Sequence, residues 1–347
     1  MLLDDLRHPR EAIETAVVRA VSRLPTPAAR RLVRSPRIVD GQHLDPHLQL
    51  LLELQRRSGR GGFETLGSPA NARREYRRMV RALERPEEPP ALTHDRRVMT
   101  PAGPVPVRVY KPRASAGQPC LVYFHGGGFV IGDLETHDGF CRRLCRTADT
   151  VVVSVGYRLA PEHPFPAAVD DAVAIARWVR QEGAPQLRID PARVAVAGDS
   201  AGGNLAIGAA QEVPGLCFSM PIYPGTDLGE RRRSYDLFGQ GFGLERSTVE
   251  WFMRLYAPGV DPHDPRLSPL RSERLDRCPP THVVVAGFDV LRDEGLALAD
   301  RLEALGVKTT RRVFPSLSHG FLHFTRVPGA DAACEELGAT LRRALHA

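Results

Sequence analysis

Lysine is nearly missing from this 347-residue chain. Lys111 and Lys308 are the only two, so arginine carries almost all of the positive charge. The formal net charge is +6, and the excess sits at one end. Residues 1–97 hold 19 Arg and no Lys against 13 Asp or Glu, while the remainder balances 28 basic against 28 acidic residues. A basic segment can attract anions, lipid headgroups or nucleic acid. Here the arginines alternate with acids and no nucleic-acid-binding module accompanies them. The expectation is a solvated helical region and no nucleic-acid partner.

Long apolar runs are missing too. No stretch approaches the roughly 18 to 20 apolar residues that a membrane span needs, so stable membrane insertion is not expected. Asp4, Asp5, Glu11 and Glu14 interrupt the opening apolar runs, which argues against a signal peptide and for a cytoplasmic protein. Cysteine is present without a framework. Cys120, Cys141, Cys145, Cys217, Cys278 and Cys334 are scattered, and none has zinc spacing to a histidine or a second pair. Most lie in or beside apolar runs, where Cys is a small core residue. No disulfide, metal or cofactor is expected.

What is present divides in two. Residues 1 to about 85 read as short amphipathic helices broken by Pro25, Pro27 and Pro36 and by Gly59, Gly61 and Gly62. Residues 85–94 read as a linker. The expected division is an N-terminal helical segment over 1–90 and a catalytic domain over 91–347. From residue 95 the pattern alternates. Residues 96–100 and 105–110 flank a turn and read as a hairpin. Short Val-rich strands follow at 120–124, 150–155, 193–197, 216–222, 281–286 and 310–314, with helical patterns at 167–180, 201–211, 293–305 and 331–346. Strands buried on both faces and alternating with helices predict an α/β fold with a mostly parallel sheet. Chemistry in such sheets sits beyond the carboxyl ends of the strands.

Four strand ends carry reactive residue types. Strand 193–197 runs into Gly198-Asp199-Ser200-Ala201-Gly202, followed at once by a helix. G-x-S-x-G in that setting is a nucleophile elbow, a tight turn that lifts the serine hydroxyl above the sheet. Strand 120–124 ends in His125-Gly126-Gly127-Gly128-Phe129. Amides bared by consecutive glycines can bind the oxyanion of a tetrahedral intermediate, each donor being worth about 10²–10³ in rate. Gly127, Gly128 and Ala201 are the expected donors. The acid and base should follow the serine in that order. Asp289 stands where strand 281–286 meets the active-site face. Asp293 and Glu294 compete with it, but they fall in the next helix's first turn, where acids complement the dipole. His319, in a loop after strand 310–314, is the expected base, with His323 one turn later packing or facing solvent.

These residues together resemble the hormone-sensitive-lipase-like α/β-hydrolases, the bacterial family IV esterases. The likeness covers roughly 95–347 and rests on HGGGF at 125–129, Gly132-Asp133, His137-Asp138, Tyr157 to Glu162, GDSAGGN at 198–204, Asp289 to Glu294 and His319-Gly320-Phe321. Val290 stands where the family usually has Pro. The resemblance implies an α/β-hydrolase fold, a mostly parallel eight-stranded sheet flanked by helices, under a helical cap built from the N-terminal helices and an insertion at about 225–265. It implies an acyl pocket lined from Leu44, Leu48, Phe238, Phe242 and Leu244, with Trp251 and Phe252 also in the insertion. It also implies a homodimer through the last strand, here 310–314.

The function expected is a serine carboxylesterase acting on short- to medium-chain acyl esters through an acyl-enzyme, with a small-molecule ester as its partner. An amidase, lactonase or arylformamidase could use the same residues. A non-catalytic ligand receptor of this fold would lack the complete Ser, Asp and His set.

Overall fold

The computed structural model describes residues 9–59 and 61–347. Met1–His8, where part of the signal-peptide argument falls, and Arg60 lie outside the described residues.

The described part of the N-terminal segment is mostly helical. Helices α1 (Pro9–Arg23), α2 (Thr26–Leu32), α3 (Pro46–Arg57) and α4 (Pro69–Leu83) are interrupted by a small hairpin, β1 (Ile38–Val39) and β2 (Gln42–His43). Asp45 starts α3 by accepting from the His47 and Leu48 amides, which satisfies donors that a helix's first turn leaves open. The hairpin was not anticipated. Its turn is Asp40-Gly41, both with positive φ (53° and 72°), the type I′ geometry that an Asp-Gly pair favours.

The rest of the chain builds one eight-stranded sheet. Strands β3 (Leu92–Thr100) and β4 (Gly103–Lys111) form the expected hairpin. Next come β5 (Gln118–Phe124), α5 (Asp138–Ala148), β6 (Val151–Val155), α6 (Ala167–Arg180), α7 (Gly183–Leu187), β7 (Ile189–Asp199), α8 (Ala201–Glu212) and β8 (Phe218–Ile222). The segment between β8 and the next strand holds α9 (Arg233–Leu237) and α10 (Arg246–Tyr256). Then β9 (Thr281–Phe288), α11 (Arg292–Ala304), β10 (Thr309–Ser318) and α12 (Pro328–His346) complete the chain.

The strand order is β10-β9-β8-β7-β5-β6-β4-β3. Strand β4 alone runs against the direction of the other seven strands, as expected for a mostly parallel α/β sheet. Alternation along β5 explains both cores. Cys120, Val122 and Phe124 face the side covered by α6, α8 and α11, while Leu121 and Tyr123 face α5 and α12. The parallel strands point their carboxyl ends to one edge, where the loops after β5, β7, β9 and β10 meet. All six cysteines are free thiols, and five are buried.

Candidate active site

Ser200 is the single residue between β7 and α8. Its φ of 55° and ψ of −118° lie outside the usual regions for a residue with a Cβ, a conformation that costs about 1–3 kcal/mol. Neighbours hold it there. The Ser200 amide donates to the Ile222 carbonyl at 2.9 Å, and its own carbonyl accepts the Asn204 amide at 3.2 Å. The glycine two residues on is required by proximity, because a Cβ on Gly202 would stand 1.9 Å from the Phe124 carbonyl oxygen. Helix α8 thus abuts the end of β5, and its N-terminus opens beside the serine.

Asp199, Ser200's other neighbour, is buried and ties the elbow to the glycine loop. Its Oδ1 accepts from the Tyr123 hydroxyl at 2.8 Å and the Gly126 amide at 2.9 Å, and His137 Nε2 lies 3.2 Å away. Burial would raise this carboxyl, but His137 and the surrounding donors overturn that, and it sits well below the usual carboxylate range.

His319 Nε2 is 2.9 Å from Ser200 Oγ, and His319 Nδ1 is 2.8 Å from Asp289 Oδ2. The histidine ring is mostly buried and the Asp289 carboxylate fully so. The second Asp289 oxygen accepts the Leu291 amide at 2.8 Å, which leaves the carboxylate little freedom. Tyr223 packs over the imidazole with ring centroids 4.7 Å apart. Strand β10 runs on to Ser318, further than the sequence pattern suggested, so His319 follows the strand end directly. The competing acids face elsewhere. Asp293 accepts the Ser234 amide at 2.8 Å. Glu294 accepts the Thr226 and Asp227 amides at 2.7 and 2.9 Å. Burial pushes Glu294 up to about 8.

The glycine loop bends away from β5 directly above this edge. Gly127 has φ 122°, and a Cβ there would stand 2.2 Å from the Ile131 carbonyl oxygen. Among the described residues, the amides of Gly127, Gly128 and Ala201 donate to no other group.

Of the five expected pocket residues, two pack beside the expected acid, Phe238 and Phe242. Leu44, Leu48 and Phe238 are buried in one cluster with Phe288, the residue before Asp289. Phe242 stacks on Phe288 at 5.5 Å, and Phe238 meets it edge-on at 5.6 Å. Leu244 is half-buried. Phe252 takes a different place: a Cβ on Gly128 would stand 2.1 Å from its ring, so it packs against the glycine loop itself.

Several contributors escaped the sequence reading. Arg73 on α4 donates to the Val130 and Ala160 carbonyls, both at 2.8 Å, and pairs with Glu162 at 2.7 Å. Arg77 pairs with Asp133. The basic residues of α4 are thus partly absorbed by the loops behind the glycine turn. Asp40 accepts two 2.7 Å bonds from Arg233, and Arg292 approaches it at 3.3 Å. Glu64 accepts from the Ser247 and Thr248 hydroxyls. The N-terminal segment and the β8–β9 insertion therefore grip one another. The Asp40-Gly41 pair was a readable turn signal; the long-range partners carried none.

The sequence pattern of an α/β-hydrolase-fold family matches residues 121–323. The chain is 42% identical to the carboxylic ester hydrolase LipN of Mycobacterium tuberculosis, over 94% of this chain and 90% of that protein. It is 38% identical to an ethyl acetate hydrolase of Pseudomonas putida, over 80% of this chain and 92% of the relative. Among solved structures, an α/β-hydrolase enzyme from the metagenome of Lake Arreo superposes with a TM-score of 0.83 at 38% identity, covering 89% of this chain and 99% of that one. An esterase from the archaeon Pyrobaculum calidifontis superposes with a TM-score of 0.78 at 34% identity, covering 86% and 98%.

Proposed function

This chain belongs to the α/β-hydrolase-fold family, and we propose that it hydrolyses carboxylic esters, with Ser200 as nucleophile, His319 as general base and Asp289 as orienting acid. The observation that carries this reading is the unbroken chain of hydrogen bonds from Asp289 through His319 to Ser200 Oγ.

The ester carbonyl oxygen enters among the Gly127, Gly128 and Ala201 amides. Ser200 Oγ attacks the carbonyl carbon as its proton passes to His319 Nε2. Asp289 fixes the imidazole tautomer and stabilises the imidazolium. Negative charge gathers on the carbonyl oxygen, where the fixed amide dipoles stabilise it. The tetrahedral intermediate collapses, the alcohol departs with the proton from His319, and the acyl group stays on Ser200. Water then attacks, giving its proton to His319, and a second collapse frees the acid and returns the proton to Ser200.

The substrate proposed is a short- to medium-chain acyl ester. Phe252 against Gly128, Phe238 and Phe242 beside Phe288, and Leu44, Leu48 and Leu244 are the apolar residues proposed to enclose it. The similarity to a protein named for ethyl acetate supports small soluble esters. A p-nitrophenyl ester series of increasing chain length, extended to amides and lactones, tests this. The optimum should fall at short to medium esters; preference for emulsified long-chain triglyceride contradicts it. A homodimer pairing through β10, the end strand of the sheet, belongs to the same proposal. Sedimentation as a monomer contradicts that part.

A further inference from the structure

Four residues beyond His319 the structure repeats the same chemical pattern. The Tyr76 hydroxyl lies 2.8 Å from His323 Nε2, and His323 Nδ1 lies 2.6 Å from Glu84 Oε1. Glu84 can accept from Nδ1, and a neutral imidazole then leaves Nε2 to accept from the phenol. This is a hydroxyl, imidazole and carboxylate chain like that of Ser200, His319 and Asp289. It does not act on substrate in the same way. Tyr76 and His323 are buried and Glu84 is mostly so, and burial drives the Tyr76 phenol far above its ordinary value, so it stays protonated.

The second chain connects two distant parts of the protein. Tyr76 lies on α4, and Glu84 is the residue that ends that helix. His323 closes the single turn that begins at Gly320 by donating its amide to the Gly320 carbonyl at 3.1 Å. Further bonds flank the contact. The Arg85 amide donates to the Thr325 hydroxyl at 2.8 Å, and Arg326 Nε reaches the Ala82 carbonyl at 3.3 Å. The His323 ring also packs edge-on against His137, 4.8 Å between centroids. His137 in turn lies beside Asp199.

We propose that His323, held by Tyr76 and Glu84, is a positioning residue that fixes the turn carrying His319 to helix α4. The proposal rests on the reading of Ser200 and His319 as nucleophile and base. It gives the N-terminal segment a role in the chemical step in addition to covering the site. The residue types at His137, Asp199 and His323 also suit a metal ion. Both His323 ring nitrogens are already engaged, however, and Asp199 serves the Tyr123 hydroxyl and the Gly126 amide. The cluster reads as a closed hydrogen-bonded brace.

A positioning role makes a specific demand. Loss of the brace should misplace the base relative to Ser200 while leaving the acyl-binding surfaces intact. A misplacement of about 1 Å at the chemistry costs about 10²-fold. His323→Phe keeps a ring but removes both bonds. It should lower kcat for p-nitrophenyl butyrate about 10- to 100-fold with KM changed less than about threefold. The rate at which a p-nitrophenyl phosphonate inactivates Ser200 should fall in parallel. His323→Gln offers a carbonyl to Tyr76 and an amide N–H to Glu84. It should recover to within about fivefold of the parent. If His323→Phe does not fold, Tyr76→Phe removes one bond and is read the same way.

Parent-like kcat in both His323→Phe and Tyr76→Phe overturns the proposal. So does a loss confined to KM, or a glutamine variant no better than phenylalanine. A parent enzyme lacking Ser200-dependent turnover would instead defeat the catalytic reading itself, so the two failures are distinguishable.

Discussion

His319 is bonded to Asp289 at 2.8 Å, whereas Asp293, four residues further along, spends its carboxylate on the Ser234 amide and on Arg292. The two acids thus have separate partners, one on His319 and one on the insertion and Arg292. Asp289→Asn should reduce kcat about 10⁴-fold with the fold intact, because an amide favours the wrong histidine tautomer. Asp293→Asn should keep activity within about tenfold of the parent and lower the melting temperature, since a charge-assisted acceptor is lost. Steady-state kinetics and thermal melts of the pair decide it, and a larger kinetic loss in Asp293→Asn would reverse the assignment.

Close approach of α8 to β5 predicts a sharp contrast between two glycines of one helix. Gly202→Ala would force a Cβ to 1.9 Å from the Phe124 carbonyl oxygen, displacing backbone. It should cost about 3 kcal/mol or more and most of the activity. Gly208 has nothing within 4 Å of a built Cβ. Gly208→Ala should be neutral or stabilise by about 0.5–1 kcal/mol. Chemical denaturation measures both. Equal effects at the two sites contradict the packing described.

Glu294 links stability to pH. Burial raises its carboxyl from the ordinary 4.5 to about 8, so the native chain holds this proton more tightly than the unfolded chain. Its contribution to stability is complete below the ordinary value and is lost as pH rises to about 8. Glu294→Gln keeps a carbonyl for the Thr226 and Asp227 amides and cannot ionise. Relative to the parent, its melting temperature should improve between about pH 5 and about pH 9. Parallel curves for the two proteins contradict this.

Asp40 supplies a fourth test. It joins the β1–β2 turn to Arg233 of the insertion and to Arg292 beside the expected acid. Asp40→Ala should loosen the contact between the N-terminal segment and the insertion. Proteolysis within residues 225–245 should accelerate, and KM should rise more than kcat falls. An unchanged cleavage rate and an unchanged KM contradict a clasp.

The sheet and the candidate triad were legible because their signals are local. Glycines around Ser200, the glycine run after Phe124, and Asp289 and His319 at strand ends each mark a turn at a predictable edge. The hairpin at Asp40-Gly41 has a readable turn dipeptide, but its two-residue strands are too short to stand out from the helical pattern of residues 1–85. What stayed illegible was partnership across the chain. Nothing near Glu84 announces His323, 239 residues away. Nothing in an arginine-rich helix announces that Arg73 will hold the carbonyls of Val130 and Ala160. The sequence predicts only that His323 packs or faces solvent, because an isolated histidine gives no sign of the two side chains, Tyr76 and Glu84, that will hold its ring.

Turnover of p-nitrophenyl butyrate by Ser200→Ala bears most directly on the whole account. The variant should fold as the parent does and lose about 10⁴-fold or more in kcat. A folded Ser200→Ala protein with parent-like turnover would contradict it.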